Sequence, residues 1–217
     1  MESRDIAAAS LSPRAPPLAR LVHATVVLDE RPVLRAVDLD LPPGITVLRG
    51  PNGSGKTTAL RALAGLLPIA RGERDAPDDV LYLGHRPQLL HGLTARENLA
   101  FFRAFRGSVG SPAAPRGVDD ALELWGIRRD ADRPVEHLSA GQRRRAALAR
   151  LEVETCALAL LDEPFAELDD DAAAVLRATL ARLAHAGSAV VVASHGHHDL
   201  DDVAVRVCTL REGKLET

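Results

Sequence analysis

Lysine is nearly missing from this chain. Its 217 residues include two, Lys56 and Lys214, and arginine supplies the rest of the basic charge. Cysteine is as scarce, with Cys156 beside an apolar run and Cys208 inside one. No C-x-x-C pair and no Cys/His metal spacing exists, so neither a disulfide framework nor a cysteine-based metal site is expected. Both thiols read as small buried hydrophobes in a reducing compartment. No stretch approaches the roughly 18 apolar residues of a membrane span. Acidic Glu2 and Asp5 and the lack of a long apolar core make the N-terminus unlike a secretory signal. The formal net charge of -3 lacks the basic excess of a nucleic-acid binder, and no nucleic-acid partner is expected. The expectation is a cytosolic protein, with any membrane part supplied by another chain.

What is present has α/β rhythm, at a length suited to one domain with a modest insertion. Residues 1–19, rich in Ala, Ser, Pro and Arg, read as a poorly ordered tail before a domain spanning 20–217. Strands are expected over Leu21–Leu28, Val33–Leu41, Ile45–Leu48 and Val80–Leu83. Ala157–Leu161 and Ala189–Ala193 are continuous apolar runs, as in strands buried on both faces of a parallel sheet. Val203–Leu210 and Lys214–Leu215 suggest a terminal strand and turn. Helices are expected over Thr57–Leu67, stopped by Pro68, and over Thr94–Phe105, opened by a Thr94/Glu97 capping box. Val118–Trp125, Gln142–Leu151 and Ala172–Ala184 also read as helices. The run Arg143-Arg144-Arg145 reads as a solvated helix face.

The one lysine inside a motif explains itself. Gly50-Pro51-Asn52-Gly53-Ser54-Gly55-Lys56-Thr57-Thr58 fits G-x-x-x-x-G-K-[ST], with a strand before it and a helix after it. Phosphate oxygens need several N–H donors aimed at one point, and glycines let the backbone curl that closely. The following helix adds its positive end. A compact ammonium fits inside such a loop where a planar guanidinium does not. Lys56 is expected on the β- and γ-phosphates, and the Thr57 hydroxyl on Mg²⁺. The loop implies a nucleoside triphosphate.

Leu158-Ala159-Leu160-Leu161-Asp162-Glu163 is an apolar strand ending in two carboxylates. Strand alternation would send them to opposite sides. Asp162 suits the Mg²⁺ shell, directly or through water, and Glu163 suits the base that polarises an attacking water.

Leu138-Ser139-Ala140-Gly141-Gln142 resembles the signature of the ABC ATPase family. The resemblance runs from about Leu21 to Thr217, through the phosphate loop, the signature, Leu160-Leu161-Asp162-Glu163-Pro164 and His195. It implies a P-loop NTPase core with a parallel sheet, an antiparallel β N-terminal subdomain, and a helical ABC-specific subdomain over about 86–150. It implies ATP and Mg²⁺ as ligands, and ATP hydrolysis as the activity. Ser139, Gly141 and Gln142 of one subunit would close over ATP held by another, with Asp169 bridging the two. His195 would contact the γ-phosphate. The glutamine usual before Leu93-Thr94 is replaced in register by His85, with Gln88 the alternative, and His85 joins the candidate metal contacts. The aromatic residue that usually stacks on adenine is absent from Val26-Val27-Leu28, which leaves apolar contact and weak ATP-over-GTP discrimination.

Tyr82-Leu83-Gly84-His85, Leu93 to Leu99, Leu138 to Leu151 and Leu161-Asp162-Glu163-Pro164-Phe165 together further resemble the haem-export ATPases of cytochrome c maturation, although Arg86 stands where these carry glutamine. This resemblance implies an energy-coupling subunit at the cytoplasmic face of the membrane. It would act as a homodimer or with a paired ATPase subunit, on an integral membrane permease. Phe101, Phe102 and Phe105 could form a contact stripe, or pack into a helical core. Another short ABC-2-type export ATPase and a soluble non-transport ABC ATPase are the alternatives. A small-molecule kinase would not explain Leu138 to Gln142. His195-Gly196-His197-His198-Asp199 also admits a metal reading.

Overall fold

The computed structural model describes residues 16–106, 116–195, 200 and 206–216. Most of the expected tail, residues 107–115, Gly196, His197, His198 and Asp199 lie outside these residues.

Two sheets form the body. Strands β1 (Ala19–Leu28), β2 (Arg31–Leu41) and β4 (Arg71–Asp75) make an antiparallel sheet in the order β2-β1-β4. Strands β3 (Gly44–Arg49), β5 (Val80–Leu83), β6 (Leu158–Asp162), β7 (Ala189–Ser194), β8 (Arg206–Arg211) and β9 (Lys214–Glu216) order as β5-β6-β7-β3-β8-β9. All neighbours in this second sheet are parallel except β8 and β9. Helix α1 (Lys56–Leu63) follows β3, and α6 (Asp170–His185) links β6 to β7. Helices α2 (Ala95–Arg106), α3 (Val118–Leu124), α4 (Ala140–Leu148) and α5 (Arg150–Val153) form the helical segment between β5 and β6.

The continuous apolar runs have a direct physical cause. Every residue of β6 and β7 is buried. Ala159, Leu161, Val190 and Val192 face a core shared with Leu99, Leu122 and Trp125 of the helical segment. Leu158, Leu160, Val191 and Ala193 face a second core, with Leu60 and Leu63 of α1 and Leu21 and Val26 of β1. A strand between two cores has no polar side to show.

Several expectations change. β1 opens at Ala19, inside the segment read as a tail. Helix α1 ends at Leu63, short of the expected Leu67. Gly65, at φ +72°, donates to Ala62 O and Leu66 donates to Arg61 O, the paired bonds of a glycine C-cap. β4 was not expected. Its sequence Arg-Gly-Glu-Arg-Asp carries no apolar alternation, because it is a charged edge strand held to β1 by main-chain pairing. The Thr94 capping box is formed: Thr94 N donates to Glu97 Oε2 at 2.8 Å, and Glu97 N to Thr94 Oγ1 at 3.1 Å.

Candidate nucleotide site

The C-terminal ends of β3, β5 and β6 open onto a cavity of about 660 Å³, lined among others by Asn52, Lys56, Thr57, His85, Asp162 and Glu163. This is the usual place for a ligand on a parallel sheet. The loop from Gly50 to Gly55 makes its floor. Gly50 and Gly55 both take positive φ. A Cβ on Gly50 would stand 2.1 Å from Leu210 O, so only glycine fits where the loop leaves the strand. Helix α1 begins after Gly55 with no side-chain cap, which leaves its first N–H groups for an anion.

Lys56 is buried, and its Nζ donates to Gly50 O at 2.7 Å and Pro51 O at 3.2 Å. The loop's own carbonyls therefore hold the ammonium over the cradle. Thr57 Oγ1 donates to Asp162 Oδ2 at 2.8 Å. Glu163 departs from the expected alternation. It follows the last residue of β6, takes φ +48°, and donates its N–H to Ala193 O at 2.9 Å. That left-handed step turns Glu163 onto the same cavity as Asp162, where a continued strand would have sent it away. Its Oε1 lies 2.9 Å from His195 Nδ1. His85 and Arg86 line the cavity, while Gln88 is not among its lining residues. Val33 and Arg61 also line it and went unnoticed in the sequence. Arg61, four residues beyond Thr57 on one helix face, could have been found from that spacing.

The signature lies elsewhere. Ser139 caps α4: its Oγ accepts from Gln142 N at 3.2 Å, and its own N–H donates to Gln142 Oε1 at 2.9 Å. Gln142 Nε2 donates to Asp130 Oδ2 at 2.7 Å, so this side chain braces the helix start. None of Ser139, Gly141 and Gln142 lines the cavity. Asp169 caps α6 through Ala172 N at 3.0 Å and pairs with Arg145.

The three arginines do not share a solvated face. Arg143 binds Leu138 O, Arg145 pairs with Asp169, and Arg144 is 2% exposed. Successive helix residues point about 100° apart, so a run of three cannot all face water once the helix is packed. Burial lowers the Arg144 pKa, against the pull of Glu167, Asp162 and Glu163.

On α2, Phe101 and Phe105 stack 5.8 Å apart and are 45% and 77% exposed. Phe102 instead packs beneath the Arg150 guanidinium at 3.6 Å. Among the described residues, no helix is long and apolar enough to cross a membrane, and no cluster of three His, Cys, Asp or Glu could hold a metal ion.

The family described as ABC transporter matches residues 34–166. The cytochrome c biogenesis ATP-binding export protein CcmA of Paracoccus denitrificans (strain Pd 1222) is 46% identical over 153 residues, 70% of each chain. The protein of that name from Xanthomonas axonopodis pv. citri (strain 306) is 37% identical over 207 residues, 90% of this chain and 95% of its own length. Among solved structures, the ATP-binding subunit of an ABC transporter superposes with a TM-score of 0.83 at 20% identity, covering 92% of this chain and 88% of its own. The dimeric bacterial ABC transporter cassette MJ0796 gives a TM-score of 0.78 at 25% identity, covering 92% and 97%. With the phosphate loop, the acid pair and the separate signature in place, this chain belongs to the ABC transporter family, as its ATP-binding and ATP-hydrolysing subunit.

Proposed function

We propose that two copies of this chain, or this chain and a paired ATPase subunit, close head to tail around ATP and drive a membrane permease that exports haem for cytochrome c biogenesis. One observation carries the pairing. Ser139 and Gly141 are absent from the lining of the cavity that holds Lys56, which fits their reaching the nucleotide of a second subunit. The capped start of α4 then presents a hydroxyl and bare main-chain N–H groups to the γ-phosphate. Asp169, at the start of α6, is the bridge between subunits. The relatives named CcmA support the export reading.

Within the cavity, the main-chain N–H groups around Gly53 to Thr58 receive the phosphates and Lys56 neutralises them. Thr57 Oγ1 and Asp162 Oδ2, 2.8 Å apart, offer the hard oxygen ligands that suit Mg²⁺. Phosphate oxygens and water would complete the ion's shell. Bound there, Mg²⁺ would offset charge on the β- and γ-phosphates. Glu163 accepts the proton of the attacking water, and His195, 2.9 Å away, holds that carboxylate and reaches the γ-phosphate. His85 faces the same space in the role usually taken by glutamine.

The exposed Phe101 and Phe105 belong to the permease-facing surface. So does the cleft of about 390 Å³ lined by Pro87, Leu89 and Val135. In this reading the subunit sits at the cytoplasmic face of the membrane through its partner. We take the working domain to open with β1 at Ala19, one residue before the expected 20–217.

Glu163→Gln tests the scheme. It should bind ATP, hydrolyse it very slowly, and accumulate as a dimer in size-exclusion chromatography. A variant that stays monomeric with ATP would sink the two-subunit closure. Copurification from membranes should recover a permease, and ATPase activity stimulated by a substrate unrelated to haem would redirect the export assignment.

A further inference from the structure

The buried Arg144 has no place in the nucleotide-binding scheme, and its surroundings are unusual for a cation. Its partners are four main-chain carbonyls. Nη1 donates to Gly84 O at 2.9 Å and His85 O at 3.0 Å. Nη2 donates to Glu163 O at 2.6 Å and, more weakly, to Asp162 O at 3.4 Å. Nε has no partner. The side chain is thus held by the fork of its two Nη groups, at the cost of a stranded donor. Each prong grips the end of a different strand, β5 and β6, which are paired through Leu83 and Leu161. Each strand end carries a cavity residue, His85 or Glu163.

Glu163 is where such a grip matters most. A glutamate at φ +48° sits in a region that side-chain-bearing residues avoid. Its N–H is tied to Ala193 O, and its C=O accepts from Arg144 at 2.6 Å beside a longer turn bond from Ala166 N at 3.2 Å, so both ends of the strained residue are fixed. Arg144 itself is on α4, whose first turn is the signature. A shift of the signature helix therefore pulls directly on the main chain of both cavity residues.

We infer that Arg144 is a positioning residue for hydrolysis, locking the Glu163 carboxylate and His85 in register with the signature helix. The inference rests on Glu163 acting as the base. A planar fork is required, because a point charge cannot reach both strand ends together.

The test is a split between binding and turnover in the full-length chain. Arg144→Gln and Arg144→Lys should both lower kcat by about 10- to 100-fold, the size of effect expected when a catalytic group is misplaced by an ångström or so. The dissociation constant of a fluorescent ATP analogue should change by no more than about twofold. Arg144→Lys keeps charge and stem, so it serves where glutamine impairs folding. Guanidinium added at millimolar levels should restore turnover to Arg144→Ala. Wild-type kcat in Arg144→Lys, or affinity and kcat falling together in both variants, would overturn the proposal. Glu163→Gln, measured in parallel, separates the two readings. If it hydrolyses ATP normally, the base assignment fails. If it is inactive while the Arg144 variants turn over normally, only the positioning role fails.

Discussion

The Thr57 hydroxyl donates a 2.8 Å hydrogen bond to the Asp162 carboxylate across 105 residues of sequence. Two motifs that are remote in the chain thereby present their oxygens as a pair. Asp162→Asn keeps the neighbour and removes the charge. The Mg²⁺ concentration for half-maximal ATP hydrolysis should rise at least about tenfold, a typical penalty for disturbing a metal environment. An unchanged Mg²⁺ titration would exclude Asp162 from the metal.

Lys56 should resist even its nearest substitution. Lys56→Ala removes a charge-assisted contact to phosphate, worth about 1.5–3 kcal/mol, and should weaken ATP binding by about 10- to 100-fold. Lys56→Arg should also bind weakly, because the loop carbonyls of Gly50 and Pro51 enclose the ammonium closely. Calorimetric titration with ATP measures both. Wild-type affinity in Lys56→Ala would remove the loop from the site.

Gly50→Ala is a stability prediction. The new Cβ would meet Leu210 O at 2.1 Å, and a backbone oxygen of a paired strand has little freedom to retreat. The variant should lose at least about 2 kcal/mol in urea unfolding, from the clash and the positive φ together. A denaturation midpoint equal to wild type would show that the loop relaxes without cost.

Acid should loosen the helical segment. Arg96 holds Asp132 and Asp119 below the ordinary carboxylate range. The Thr94 N–H does the same for Glu97, and the Gly92 N–H for Glu136. Each carboxyl has a lower pKa folded than unfolded. Its stabilisation is therefore complete above the unfolded value, about 4, and fades as pH falls through the folded one. Trp125, the single tryptophan, is buried in this segment and reports on it. Its emission should shift to the red as pH drops below about 4, and Asp132→Asn should blunt the change. Identical acid titrations for variant and wild type would contradict the assignment.

Much of the site was legible because its chemistry is local. A loop that wraps phosphate must carry glycines and a lysine within nine residues, and these announce themselves in any context. The same holds for the Thr94 cap. The charged β4 was illegible, since an edge strand held by main-chain bonds needs no side-chain pattern. Glu163 was recognised, but its direction was not. Its left-handed step depends on Ala193, a neighbour supplied by β7.

Composition and motif alone determined the ligand class, the two carboxylates and the α/β alternation, because backbone curvature, charge and apolar periodicity are written in consecutive residues. The tertiary structure decided which groups meet. It paired Thr57 with Asp162, turned Glu163 toward His195, and kept Ser139 out of the cavity. It also separated Arg144 from Arg143 and Arg145. Three identical side chains in a row carry no mark of which will be buried, and only the packing of α4 over the ends of β5 and β6 chose the middle one.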